Sequence, residues 1–140
     1  MKDKLAYLDS SAFVKLIIDE AETPSLNRYL EAWPRWTSSM LLKTEVLRTT
    51  AKFSENHTLW ADNILQWVNY VQLDEGLMER AGRLTPTVLR SLDAVHLTAA
   101  LSLGEALGVV VSYDKRMIDA AREWGIPVAS PNATEFMDQD

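Results

Sequence analysis

The chain has 140 residues, 47% hydrophobic and 24% charged, which is a length for one domain over residues 1–140 and a composition for a globule with its own core. It has no cysteine, which excludes disulfides and thiolate metal sites and agrees with a cytoplasmic protein. No apolar run reaches the ~20 residues that span a bilayer, and Asp3 and Asp9 interrupt any signal-peptide pattern around Lys2 and Lys4. A net charge of −6 excludes wholesale electrostatic wrapping of nucleic acid, which needs clustered Lys and Arg, but leaves room for a carboxylate site that itself adds negative charge.

In chain order, residues 4–9 read as a short buried strand. Residues 10–19 place Ala12, Phe13, Leu16 and Ile17 at helical spacing. Thr23-Pro24 reads as a helix start, with Thr23 as N-cap and Pro24 in the first turn; that helix runs to about Trp33, where Pro34 stops it. Residues 35–38 form a weaker strand. Ser39 is the expected N-cap of a helix through Phe53, with Leu42, Val46 and Leu47 on one side, and His57-Thr58 opens another to about Gln66. Residues 67–73, β-branched and aromatic, are a third strand. Asp74 caps a short helix to Leu84, Thr85-Pro86-Thr87 is a loop, and residues 91–103 are a strongly apolar helix ending near Gly104. Val109-Val110-Val111 is the clearest strand. An amphipathic helix from about Lys115 to Trp124 is closed by Gly125, Pro127-Val128-Ala129 is a last short strand, and the tail from Asn132 is polar and expected to fray. This alternation predicts an α/β fold: a parallel sheet of four to five short strands with helices on both faces, binding ligands beyond the carboxyl ends of its strands.

Four acids stand where apolar runs meet helices. Asp9 ends the first strand, Glu45 lies early in a helix, Asp93 sits within Leu92-Asp93-Ala94-Val95-His96-Leu97, and Asp114 follows Val111-Ser112-Tyr113. Charges in apolar surroundings are costly unless paired or bound to metal, so together they suggest a divalent-metal site and phosphodiester chemistry. Singly, each has a plainer reading. Asp9 and Asp114 fit helix caps, and Glu45 fits a surface pair with Arg48 three positions on. His96, one turn from Asp93 and flanked by Val95 and Leu97, reads as a packed helix residue. Arg48, Arg90 and Lys15 are the basic residues best placed to meet a phosphate, Arg through its planar fork. Among the five tryptophans, Trp33 and Trp60 are candidates to line a groove for an amphipathic partner helix, expected somewhere between residues 12 and 67.

The segments around the four acids are more specific than the acids alone. Tyr7-Leu8-Asp9-Ser10-Ser11-Ala12-Phe13-Val14-Lys15-Leu16 resembles the opening of a PIN-domain ribonuclease of the VapC toxin family. Leu41 to Arg48 resembles that family's second motif. Residues 89–100 are similar to its third, and Val111-Ser112-Tyr113-Asp114-Lys115-Arg116-Met117 to its fourth, in the same order from about residue 5 to 129. The resemblance implies a three-layer α/β/α sandwich and a toxin of a type II toxin–antitoxin pair that cuts RNA with Mg²⁺ or Mn²⁺. It implies Asp9, Glu45, Asp93 and Asp114 as metal-binding acids and Ser112 as the hydroxyl that orients a water or a carboxylate. A cognate antitoxin and a homodimer are the implied partners, with no membrane. Two other readings compete: a non-catalytic binding module on the same fold, and a receiver-like phosphoacceptor domain, although Ser10-Ser11 supplies no second acid after the first strand.

Overall fold

In the computed structural model, which describes residues 4–133, five strands form: β1 (Leu5–Leu8), β2 (Trp36–Ser39), β3 (Val68–Val71), β4 (Leu107–Val111) and β5 (Val128–Ala129). They pair in parallel in the order β3-β2-β1-β4-β5. The helices are α1 (Ser10–Phe13), α2 (Thr23–Leu30), α3 (Leu41–Thr50), α4 (Glu55–Leu65), α5 (Glu75–Gly82), α6 (Ser91–Leu101) and α7 (Lys115–Glu123). The predicted α/β architecture is therefore present, with the strands close to their expected places. A receiver domain orders its strands 2-1-3-4-5, so the phosphoacceptor reading fails on topology.

Period-two alternation along the strands divides the core into two layers. Ala6, Leu8, Val109 and Val111 face Phe13, Leu26, Leu42, Val46 and Ala61 from α1 to α4. Tyr7 and Val110 face the opposite way, against Leu77, Val95, Leu97, Met117 and Ala121 from α5, α6 and α7. Every residue of α6 from Ala94 to Ala100 is buried, as expected of a helix that is apolar all round. Gly108 of β4 lies under Trp33: a Cβ there would stand 2.4 Å from the indole ring, so only glycine lets that ring close over the sheet.

Several local expectations change. The helix over 10–19 breaks after Phe13 into a 3₁₀ turn (Val14–Leu16), and the Lys15 carbonyl in that turn accepts from Thr23 Oγ1 at 2.7 Å. Thr23 is thus not an N-cap; Glu22 holds that position and Pro24 lies in the first turn as expected. Ser39 ends β2 instead of capping α3, and its buried hydroxyl has no partner among the described residues. Ser54 caps α4 by accepting from His57 N at 3.2 Å, so the helix starts at Glu55, two residues before the expected His57. Asp74 caps α5 through Leu77 N at 2.8 Å, and Gly125 closes α7 at φ +75°, both as expected. Fraying was expected from Asn132, but Ala133 is buried and its N–H donates to Ser130 O; the rest of that tail, from 134 on, lies outside the described residues.

Candidate active site

The strand order reverses between β1 and β4, and parallel sheets open a crevice at that point. Asp9 leaves the end of β1 and Ser112, Tyr113 and Asp114 leave the end of β4. Two hydroxyls stitch them together. Ser11 Oγ donates to Asp9 Oδ1 at 2.6 Å, and Ser112 Oγ donates to Asp9 Oδ2 at 2.5 Å. The backbone N–H of Tyr113 then donates to Ser11 Oγ, and that of Asp114 to Ser112 Oγ. Asp9 is 3% exposed, and as N-cap of α1 it also accepts from Ala12 N at 3.1 Å. Asp114 caps α7 through Arg116 N at 2.9 Å. Asp9 thus has both oxygens engaged within the chain, whereas Asp114 caps its helix through Oδ1 alone.

The third acid, Asp93, sits in the first turn of α6 and has no hydrogen-bond partner among the described residues. Glu45 reaches in from α3. Its partner is not Arg48, which is exposed, but His96: Nε2 lies 2.6 Å from Glu45 Oε1. The other ring nitrogen, Nδ1, is 2.7 Å from the Tyr7 hydroxyl, and Ser39 N donates to that hydroxyl at 3.1 Å. His96 is buried, as its apolar flanks predict, yet it also touches a site acid. Tyr7 and Ser11 were not singled out in the sequence, and His96 was read there as packing alone. The signal for His96 was its place one turn from Asp93; Tyr7 carried none, since a buried aromatic in a strand is ordinary core.

Electrostatics tie the four acids together. The Asp93 carboxyl is pushed up to about 6, first by burial and then by the charges of Asp114 and Asp9, with Glu45 adding and His96 opposing. Burial also raises Asp9, against the pull of His96 and of its three hydrogen bonds. Among the described residues no group of three or more Asp, Glu and His side chains is arranged so that it could hold a metal ion as it stands. The mutual influence of the acids shows at Asp93, where Asp114, Asp9 and Glu45 all push the carboxyl up. The donor set is all carboxylate oxygen, the chemistry that suits a hard divalent cation that keeps several of its waters.

Of the basic residues, Arg48 and Arg90 are exposed, on α3 and just before α6. Lys15 is engaged internally: its Nζ meets Glu22 at 2.9 Å and Glu20 at 3.3 Å and lies over the Tyr113 ring. A groove of about 500 Å³ opens on the α1–α4 side, lined by Leu16, Leu30, Trp33, Trp60, Ile64 and Trp67 among others. Trp33 is buried in its floor, while Trp60 and Trp67 are 52% and 74% exposed.

Comparison with known proteins agrees with this architecture. Residues 6–123 match the family model described as the PIN domain. Ribonuclease VapC46 of Mycobacterium tuberculosis is 40% identical over 90% of this chain and 97% of its own length, and Ribonuclease VapC47 of the same species is 35% identical over 92% and 98%. Among solved structures, a Sarcin-Ricin loop cleaving toxin, VapC20 of Mycobacterium tuberculosis, superposes with a TM-score of 0.70 at 17% identity, covering 82% of this chain and 94% of that one. A toxin–antitoxin complex from Klebsiella pneumoniae gives 0.70 at 22%, covering 90% and 97%. The structures share the fold, while the sequence matches span nearly the whole chain at more than 30% identity, and on them the chain belongs to the PIN-domain family, among the VapC ribonucleases.

Proposed function

We propose that this chain is the toxin of a type II toxin–antitoxin pair, a ribonuclease that hydrolyses RNA phosphodiester bonds with Mg²⁺ or Mn²⁺ held by Asp9, Asp93, Asp114 and Glu45. The observation that carries the reading is Asp93: a carboxyl raised to about 6 by burial and by the other three acids is a site suited to a cation. The family membership supplies the reaction class.

Each residue has a task that follows from its contacts. Ser11 and Ser112 fix the Asp9 carboxylate, and Ser112 aligns Asp9 with Asp114 by donating to one side chain and accepting from the other's backbone N–H. Ser112 is thus a positioning residue, since its proton is committed to Asp9. Asp93, without a partner, can adjust to a ligand. These acids would hold the divalent cation, which when bound would supply a water of lowered pKa and offset charge on the phosphate. Arg48 and Arg90, exposed and planar, are suited to the RNA backbone. Lys15 instead ties the segment after the 3₁₀ turn to itself through Glu20 and Glu22.

The apolar groove under Trp60 and Trp67 is the proposed seat of the antitoxin, an amphipathic segment docking by apolar anchors. No described helix is long and apolar enough to cross a membrane. The reading includes one PIN domain over the whole chain, a homodimer alone or with antitoxin, and action in the cytoplasm. The test is purified protein, free of antitoxin, incubated with total RNA with and without Mg²⁺ beside Asp9→Asn. Cleavage that needs both the metal and Asp9 is expected. Folded protein that binds antitoxin but leaves RNA intact would favour the binding-module reading.

A further inference from the structure

The contacts of His96 go further than packing. Ser39 N–H donates to the Tyr7 oxygen. The same oxygen lies 2.7 Å from His96 Nδ1, within hydrogen-bond distance. On the other side of the ring Nε2 lies 2.6 Å from Glu45 Oε1; a carboxylate oxygen accepts, so Nε2 donates, and Oε2 is left without a partner among the described residues. His96 is 1% exposed, so no bulk water competes for either nitrogen. The Tyr7 and His96 rings also meet edge to face at 5.8 Å, which fixes the imidazole plane.

We infer that Ser39 N–H, Tyr7 and His96 form a buried relay that positions Glu45. The relay starts at the carboxyl end of β2, crosses β1 and α6, and ends on α3. It holds the imidazole by a hydrogen bond made in the sheet, and it restrains a long side chain that would otherwise sample many rotamers. Asp9 and Asp114 need no such device, because each is the first residue of its own helix cap. Glu45, in the middle of a helix, has no backbone N–H to hold it. The inference rests on the metal-dependent reading above for what Glu45 does, but its geometry stands by itself.

The test uses the full chain, metal-free and with Mn²⁺ as probe. Imidazole ¹⁵N shifts of the metal-free protein should show Nε2 carrying a hydrogen-bonded proton; a bare Nε2 overturns the relay whatever the chain does to RNA. His96→Leu keeps the bulk and removes both nitrogens, and should weaken Mn²⁺ binding about 10- to 100-fold by calorimetry. His96→Gln restores an N–H donor and should recover most of that loss. Tyr7→Phe removes one oxygen, should leave the circular dichroism unchanged and should weaken Mn²⁺ severalfold. If His96→Leu fails to fold, Tyr7→Phe and His96→Gln carry the measurement. Wild-type Mn²⁺ affinity in Tyr7→Phe, or in folded His96→Leu, overturns the proposal. Protein that shows these shifts and affinities yet leaves RNA intact would defeat the ribonuclease reading and leave the relay in place.

Discussion

The acidic rim and the tryptophan groove depart from ordinary burial in opposite senses. At the rim, polar groups are inside: Asp9 and Ser112 are buried, and hydroxyls and helix N–H groups compensate them. At the groove, apolar groups are outside: Trp60 and Trp67 stand largely in solvent. Buried charge is tolerated only when it is paired, and large exposed apolar side chains call for a partner. In the reading proposed above, the rim takes a small cation and a phosphate, and the groove takes an apolar helix.

The separation of the two predicts that each can be damaged alone. Asp93→Asn should reduce RNA cleavage by more than about a hundredfold, beyond what loss of a supporting partner of a metal ligand costs. It should leave antitoxin binding unchanged, measured by calorimetry with the purified antitoxin. Trp60→Asp should do the reverse, costing about 2 kcal/mol of antitoxin affinity, or roughly thirtyfold, while cleavage by the free toxin persists. If Trp60→Asp abolished cleavage, the two regions would be one functional unit and the comparison would fail.

Smaller effects sharpen the contrast. Gly108→Ala pushes a methyl into the buried Trp33 ring, and should cost about 1–3 kcal/mol in urea unfolding through the groove floor alone. Asp93→Asn should stabilise the metal-free protein in EDTA. The folded Asp93 pKa of about 6 lies above its ordinary 3.8, so the folded state holds more proton between those values. Its contribution is fully present below about pH 4 and is lost as pH rises through 6. The variant should therefore gain on wild type across that window and keep the gain at pH 7, by ~1 kcal/mol or less once discounted for a half-exposed group, or about 3 °C in Tm. Added Mg²⁺ should reverse the order. Ser39→Ala removes a buried, unpartnered hydroxyl and keeps the N–H that the relay uses. It should stay within about 0.5 kcal/mol of wild type in the same unfolding measurement.

Much of this was legible in the sequence because the governing physics is local. Strand and helix periods, Pro24, Asp74 and Gly125 placed most elements, and the apolar run from Ala94 to Ala100 marked a helix buried on all sides. Local rules failed where a distant group competed. Thr23 gave its hydroxyl to the Lys15 carbonyl instead of its own helix, and Ser39 was drawn into β2 by pairing with β3. Glu45 and Arg48 have the spacing of a surface pair, but α6 brings His96 to the carboxylate first.

By itself, then, the sequence determined the α/β class, the four acids in their order and the family to which they belong, since motif and periodicity are properties of neighbours along the chain. Only the tertiary structure decided that Ser11 and Ser112 lock Asp9 to Asp114, that Asp93 feels the other three charges, and that Glu45 answers to Tyr7 through His96. Those are contacts between residues as far as 103 positions apart. Their strength comes from burial and direction, which exist only once β1, β4, α3 and α6 have packed together.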